Sequence, residues 1–219
     1  MGTDNLHHIR KESGLSRKAK KKPILPFILI VCEGEKTEPN YFQWYKDNCK
    51  QEIDIELDGQ GKNTLSLVRE TIEIKKKMEK EYNKVFDQVW CVFDRDSFSP
   101  QDYNNAFQVA KSKKFQVAYS NECFEIWYLL HFHFFNSSMD RVTAFQKLDK
   151  LMTEHYKIPY KKNSTKMFEL LHDRQENAIK NAVKLDNYCL DKNTLSNQNP
   201  STSVYKLVQE LNKYIRIKN

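Results

Sequence analysis

The chain has little of what loop-rich, secreted or membrane-spanning proteins carry. Glycine occurs five times and proline six times in 219 residues, so ordered elements rather than low-complexity sequence fill most of it. No apolar run approaches the roughly 20 residues of a membrane-spanning helix. The first residues are polar and basic and lack the apolar centre of a secretion signal. These absences set the expectation of a cytoplasmic protein with no membrane contact. Cysteine is present but unpaired in pattern. Cys32, Cys49, Cys91, Cys123 and Cys189 are odd in number and contain no C-x-x-C, which excludes a disulfide framework or a zinc site and implies reduced, buried thiols. The only glycine-lysine cluster, Gly59-Gln60-Gly61-Lys62, lacks the spacing of a phosphate-binding P-loop.

What the chain has in abundance is charge. Charged residues make up 30% against 39% hydrophobic, and the formal net charge is +7. A modest positive excess suits a polyanion such as nucleic acid, although a lysine-rich proteome alone gives the same balance. The excess starts in a polar arm, residues 1–23, that ends in Arg17, Lys18, Lys20, Lys21 and Lys22. With no apolar period, it is expected to be flexible in isolation and either to track phosphates or to be a solvated tail.

Beyond the arm the pattern alternates. Ile24 to Cys32 is a continuous apolar run, as in a strand covered on both faces. Thr37-Glu38-Pro39 reads as a helix start with Thr37 as its cap. Ile53 to Leu57 alternates apolar and acidic residues, and Leu65, Val68 and Ile72 recur at helical spacing. Asp87 to Phe93 is the next strand, Ser99-Pro100 opens a helix, and Phe115 to Tyr119 is a short strand. Strand and helix in this order predict an α/β fold, a parallel sheet with helices on both faces, over residues 24–135. Helices are then expected over 121–135, 140–156 and 165–190. Asn199-Pro200-Ser201-Thr202 is expected to cap a last one, giving a helical extension, residues 136–219, packed on the core.

Two acidic clusters follow strand-like runs: Cys32-Glu33-Gly34-Glu35-Lys36 and Phe93-Asp94-Arg95-Asp96. In open α/β sheets ligands bind beyond the carboxyl ends of the strands. If the two strands are neighbours, Glu33, Asp94 and Asp96 share one rim. Asp94 and Asp96, two apart in extended backbone, point to the same side. Hard cations such as Mg²⁺ choose carboxylate oxygens and keep water and phosphate as their other ligands. The plainer reading of the triad is a structural ion-pair cluster.

A strand followed by Glu-Gly and then a strand followed by Asp-x-Asp resembles the Toprim signature. The fuller string Ile30-Val31-Cys32-Glu33-Gly34-Glu35-Lys36-Thr37-Glu38-Pro39-Asn40-Tyr41-Phe42 is similar to the RloB family, a Toprim-like group of bacterial phage-defence loci. Phe93 to Asp96, Ser120 to Trp127 and Asn199 to Val204 match it as well. The chain departs at Glu122, where the family pattern has proline after Asn121.

The resemblance implies a Toprim-like parallel sheet of about four strands and a metal-dependent nuclease acting on DNA or tRNA. It implies phage defence beside an ATPase partner of the AAA or ABC type (RloA-like). It implies Glu33 as general acid/base and Asp94 and Asp96 as ligands of Mg²⁺ or Mn²⁺. Glu125 would hold a second metal or orient a water, and Lys36 would stabilise charge on phosphate oxygens. Lys161 and Lys162 are candidates for nucleic-acid contact, with a solvated surface as the alternative. Glu35 and Glu38 suit a helix start better than a ligand role. His131 and His133, two apart, do not share a helix face and are not expected to bind metal. The rival readings are a non-catalytic nucleic-acid or partner-binding module and another type of phosphotransfer.

Overall fold

The computed structural model describes residues 25–49, 53–59, 64–95, 99–189 and 195–215. Five strands form its sheet: β1 (Phe27–Cys32), β2 (Asp54–Gly59), β3 (Gln88–Asp94), β4 (Gln116–Asn121) and β5 (Ser201–Thr202), in the order β2-β1-β3-β4-β5. The first four are parallel and are those that the apolar pattern predicts. The fifth runs antiparallel to β4, pairing Ser120 with Thr202 and Asn121 with Ser201.

All six residues of β1 are buried, and their alternation splits the interior in two. Phe27, Leu29 and Val31 join one core with Cys91 and Phe93 of β3, Leu67 and Val68 of α2 (Thr64–Tyr82), and Tyr103, Ala106 and Ala110 of α3 (Pro100–Ser112). Ile28, Ile30 and Cys32 join the other, with Tyr41, Phe42 and Tyr45 of α1 (Thr37–Asn48) and the helices that follow β4. Those helices are α4 (Glu125–Leu130), α5 (Arg141–Tyr156), α6 (Met167–Leu171), α7 (Gln175–Tyr188) and α8 (Val204–Asn212). A strand covered on both faces must be apolar at every position. At about 1.5–3 kcal/mol per fully buried aliphatic or Phe side chain, β1 is a large share of the driving force. All five cysteines are free and buried.

Several local readings hold and several do not. Ser99 caps α3 as expected, accepting the Asp102 N–H at 3.1 Å with Pro100 behind it. Thr37 is not the cap of α1; Lys36 occupies that place without a side-chain cap bond. The helix expected over 121–135 is confined to Glu125–Leu130. Residues up to Asn121 remain in β4, and the Leu130 carbonyl accepts from Asn181 Nδ2 at 2.8 Å instead of continuing the ladder. The helix expected over 165–190 is broken into α6, a 3-10 turn (His172–Arg174) and α7. Thr202 serves the start of α8 as expected, its Oγ1 accepting the Val204 N–H at 3.2 Å, but Ser201–Thr202 also forms β5, which the pattern did not predict: the Ser203 N–H donates to the Tyr119 carbonyl at 2.8 Å, and Thr202 Oγ1 donates to the same oxygen at 2.9 Å. The Asn121–Glu122 and Asn199–Pro200 peptide bonds are cis. Among the described residues no helix is long and apolar enough to cross a membrane.

Candidate active site

The chain leaves β1 through α1 on one face of the sheet and leaves β3 through α3 on the other. β1 and β3 are neighbours, so their carboxyl ends open a crevice at the point where strand order reverses. The two acidic clusters lie there. Glu33 follows β1 directly, and its N–H donates to the Val92 carbonyl at 2.8 Å. Its carboxylate Oε2 accepts the Asp94 N–H at 3.0 Å. One hydrogen bond therefore ties the acid of the first cluster to the backbone of the second.

Asp94 ends β3, and its Oδ2 accepts the Phe124 N–H at 3.1 Å. That bond satisfies a donor at the start of α4, where no side chain of the helix itself does so. Asp94 thus fixes where α4 begins, and α4 in turn presents Glu125, which is 3% exposed. Arg141, first residue of α5, sits 3.7 Å from Asp94 Oδ2. Asp140 caps that helix by accepting the Thr143 N–H at 2.8 Å.

A cavity of about 400 Å³ opens over these groups; its lining includes the acids Glu33, Glu35, Glu38, Asp94 and Glu125 and the cations Lys36, Arg141 and Lys162. Glu38 lies in the first turn of α1, as its helix-start position leads one to expect, but it is only 5% exposed and lines the cavity. Burial pushes its carboxyl up to about 7, with the Glu125 carboxylate adding to the rise and its own backbone N–H, Lys162 and Arg141 opposing it. Burial likewise raises Asp94 well above the usual carboxylate range, reinforced by Glu38, Glu125 and Glu33 and offset by Arg141. Clustered carboxylates disfavour one another's ionisation.

The third wall is the segment 157–166, between α5 and α6. Tyr160 donates its hydroxyl to Glu125 Oε1 at 2.6 Å, and its N–H donates to Asp149 Oδ1 at 2.8 Å. Asn163, at φ 65°, accepts from Thr37 Oγ1 through its side chain and from Asn40 Nδ2 through its carbonyl, both at 2.8 Å. So the Thr37 hydroxyl, expected at the helix cap, pins this segment across the site.

The structure brings Glu33, Lys36, Asp94, Glu125 and Lys162 to one cavity. Lys161 is exposed and does not line it. Glu122 lies outside it, where it accepts from Asn199 Nδ2 at 3.4 Å. Asp96 and the arm residues Arg17, Lys18, Lys20, Lys21 and Lys22 fall outside the described residues. Glu38, Arg141, Tyr160 and Asn163 were not singled out as site residues. Only Glu38, five residues past Glu33 in the string that resembles the family, carries a local signal.

The donor set suits a hard divalent cation: every acidic donor is a carboxylate oxygen, and Mg²⁺ asks for one or two of these beside water and phosphate. Glu33 and Asp94 offer two on one rim. A cage of three or more His, Cys, Asp or Glu ligands is not assembled among the described residues. His131 is buried, its Nδ1 2.9 Å from the Trp127 carbonyl, and takes no part.

Close approach explains two glycines. A Cβ on Gly34 would lie 2.1 Å from Glu38 Oε2, and one on Gly59 would lie 2.8 Å from the Gly34 carbonyl and 3.1 Å from Glu35 Cα. Gly59 therefore lets the end of β2 pack under the loop that carries Glu33.

Fold and site together define an α/β protein whose acidic cavity lies at the switch point of a mostly parallel sheet. A family model described as RloB-like protein matches residues 28–211. The chain belongs to the RloB-like family. No curated protein and no solved structure matches it.

Proposed function

We propose that the chain is a metal-dependent nuclease that hydrolyses a phosphodiester of nucleic acid. The observation that carries this reading is one cavity lined both by Glu33, Glu38, Asp94 and Glu125 and by Lys36, Arg141 and Lys162. Carboxylates suit proton transfer and cation binding, whereas cations suit the non-bridging oxygens of a phosphate.

Asp94 and Asp96 would hold Mg²⁺ or Mn²⁺, with Glu125 available to a second ion. When bound, the metal supplies Lewis-acid polarisation of the phosphate and a more acidic water. Glu33, oriented by the Asp94 N–H, takes the proton of the attacking water. Lys36 and Lys162 enter from two different loops and contact the phosphate oxygens, while Arg141 offsets charge at Asp94. Family resemblance supports the wider role, an effector in phage defence beside an AAA- or ABC-type ATPase, with DNA or tRNA as substrate.

Glu33→Gln tests the reading, because the amide oxygen still accepts the Asp94 N–H while the basic oxygen is lost. Plasmid, single-stranded DNA and total tRNA are incubated with Mg²⁺, Mn²⁺ or EDTA. The expected result is cation-dependent cleavage by the wild type and a loss of about 10²–10⁴-fold in the variant. Equal cleavage by both, or no cleavage of any nucleic acid, would sink the proposal.

A further inference from the structure

The segment 157–166 lines the site through Lys162 and Asn163, and three of its hydrogen bonds tie it to the site's other walls. Tyr160 is bonded to Glu125, and Asn163 is bonded to both Thr37 and Asn40. The same segment carries Lys162 onto the cavity wall, where its Nζ lies 5.8 Å from the Phe145 ring centroid. Beside this strap three of the acidic groups are recessed, Glu38 at 5% exposed, Glu125 at 3% and the Asp94 side chain at 13%, while Glu33 is half-buried.

From this geometry we infer that the site takes an unpaired nucleic-acid strand and that the strap is the element that excludes duplex. The inference rests on the nuclease reading above and adds the substrate class to it. A cavity of about 400 Å³ lies near the lower end of ligand sites, which span roughly 300–1,000 Å³. It admits a phosphodiester with part of its flanking sugars. It does not admit a duplex, which brings two backbones and their paired bases together.

To reach Glu125 and Asp94, a phosphate must be drawn in beside the strap, away from the surface on which the rest of the polymer lies. An unpaired backbone bends inward at little cost. A duplex must first give up pairing and stacking at that step. The cations at the mouth, Lys36 and Lys162, attract either form through its phosphates, so discrimination comes from the recess and not from charge. Tyr160 and Asn163 are positioning residues in this account: they hold the strap and do not contact the reacting atoms.

The test compares one sequence as a single strand, as the loop of a hairpin and as a full duplex. It is made in both DNA and RNA with Mn²⁺, and each variant is first checked for folding by circular dichroism. The wild type is expected to cut the single strand and the loop at least about ten-fold faster than the duplex. Asn163→Ala, which removes the side-chain bond to Thr37, and Tyr160→Phe, which removes the bond to Glu125 but keeps the ring, are both expected to lower that ratio. A role in stability alone would slow cutting of all three substrates together and leave the ratio unchanged. Equal rates on single strand and duplex, or an unchanged ratio in both variants, would overturn the inference and leave the nuclease reading standing. Absence of cutting on every substrate would overturn both.

Discussion

Removing one charge from the cavity should make the protein more stable in alkaline solution and leave it unaffected in acid. The perturbation is Glu38→Gln. In the folded protein the Glu38 carboxyl titrates at about 7 rather than 4.5, chiefly because it is buried and secondarily because Glu125 is near. The folded state therefore binds its proton more tightly than the unfolded chain does. Between pH 4.5 and 7 the folded state holds more protons, so stability falls as pH rises through that window. At about 1.4 kcal/mol per pH unit, the penalty approaches roughly 3 kcal/mol once the pH exceeds 7. Glutamine keeps the shape and carries no charge to desolvate. Urea unfolding of wild type and variant, in EDTA, at pH 5 and pH 8 reads the effect. The variant should gain on the wild type by roughly 2–3 kcal/mol between the two pH values. Parallel stability curves across the range would refute the claim that the buried carboxylate carries this cost.

Two further perturbations have defined outcomes. His131 is buried, and burial pulls its imidazole down to about 4 from 6.5. The unfolded chain then binds the proton first, so stability is lost as pH falls from about 6.5 to 4, by up to roughly 3 kcal/mol at the acid end. His131→Phe should flatten that limb in urea titrations at pH 7, 5.5 and 4.5; an unchanged slope would contradict the assignment. Gly59→Ala should cost about 1–3 kcal/mol by overpacking, because two of the three nearest atoms belong to the backbone of the Glu33 loop. Its cleavage rate, measured well below the melting temperature, should fall further than Ala substitutions elsewhere on the surface of β2. A rate equal to the wild type would show that the loop tolerates the shift.

The parallel core was legible because its signals are local. Six consecutive apolar residues in β1 and five buried residues within β3 state their burial directly, and Ser99-Pro100 states its helix start. Glu33 and Asp94 were legible for the same reason, since each follows such a run. The parts that escaped depend on tertiary contact. Thr37 reads as a cap, yet its hydroxyl is claimed by Asn163, 126 residues away. Glu38 reads as a helix-start acid, yet it is buried in a cavity that Glu125 and Lys162, distant in sequence, also line. The break at His172–Arg174 carries neither proline nor glycine; nothing short-range announces it. β5 is two residues long, below the length at which alternation can be seen.

The last of these elements reaches furthest. Asn199 exchanges hydrogen bonds with Met139, accepting its N–H at 3.0 Å and donating to its carbonyl at 3.1 Å. Met139 immediately precedes Asp140 and Arg141 at the head of α5. Beside it, Thr202 and Ser203 seal the edge of β4. The end of the chain thus fastens the cationic corner of a cavity whose acids were set in place by its beginning. The first four strands and first three helices carry Glu33, Glu38 and Asp94 and lack Arg141. On this architecture the cavity is completed only when the residues that fasten the head of α5, Asn199 to Ser203, have joined the fold.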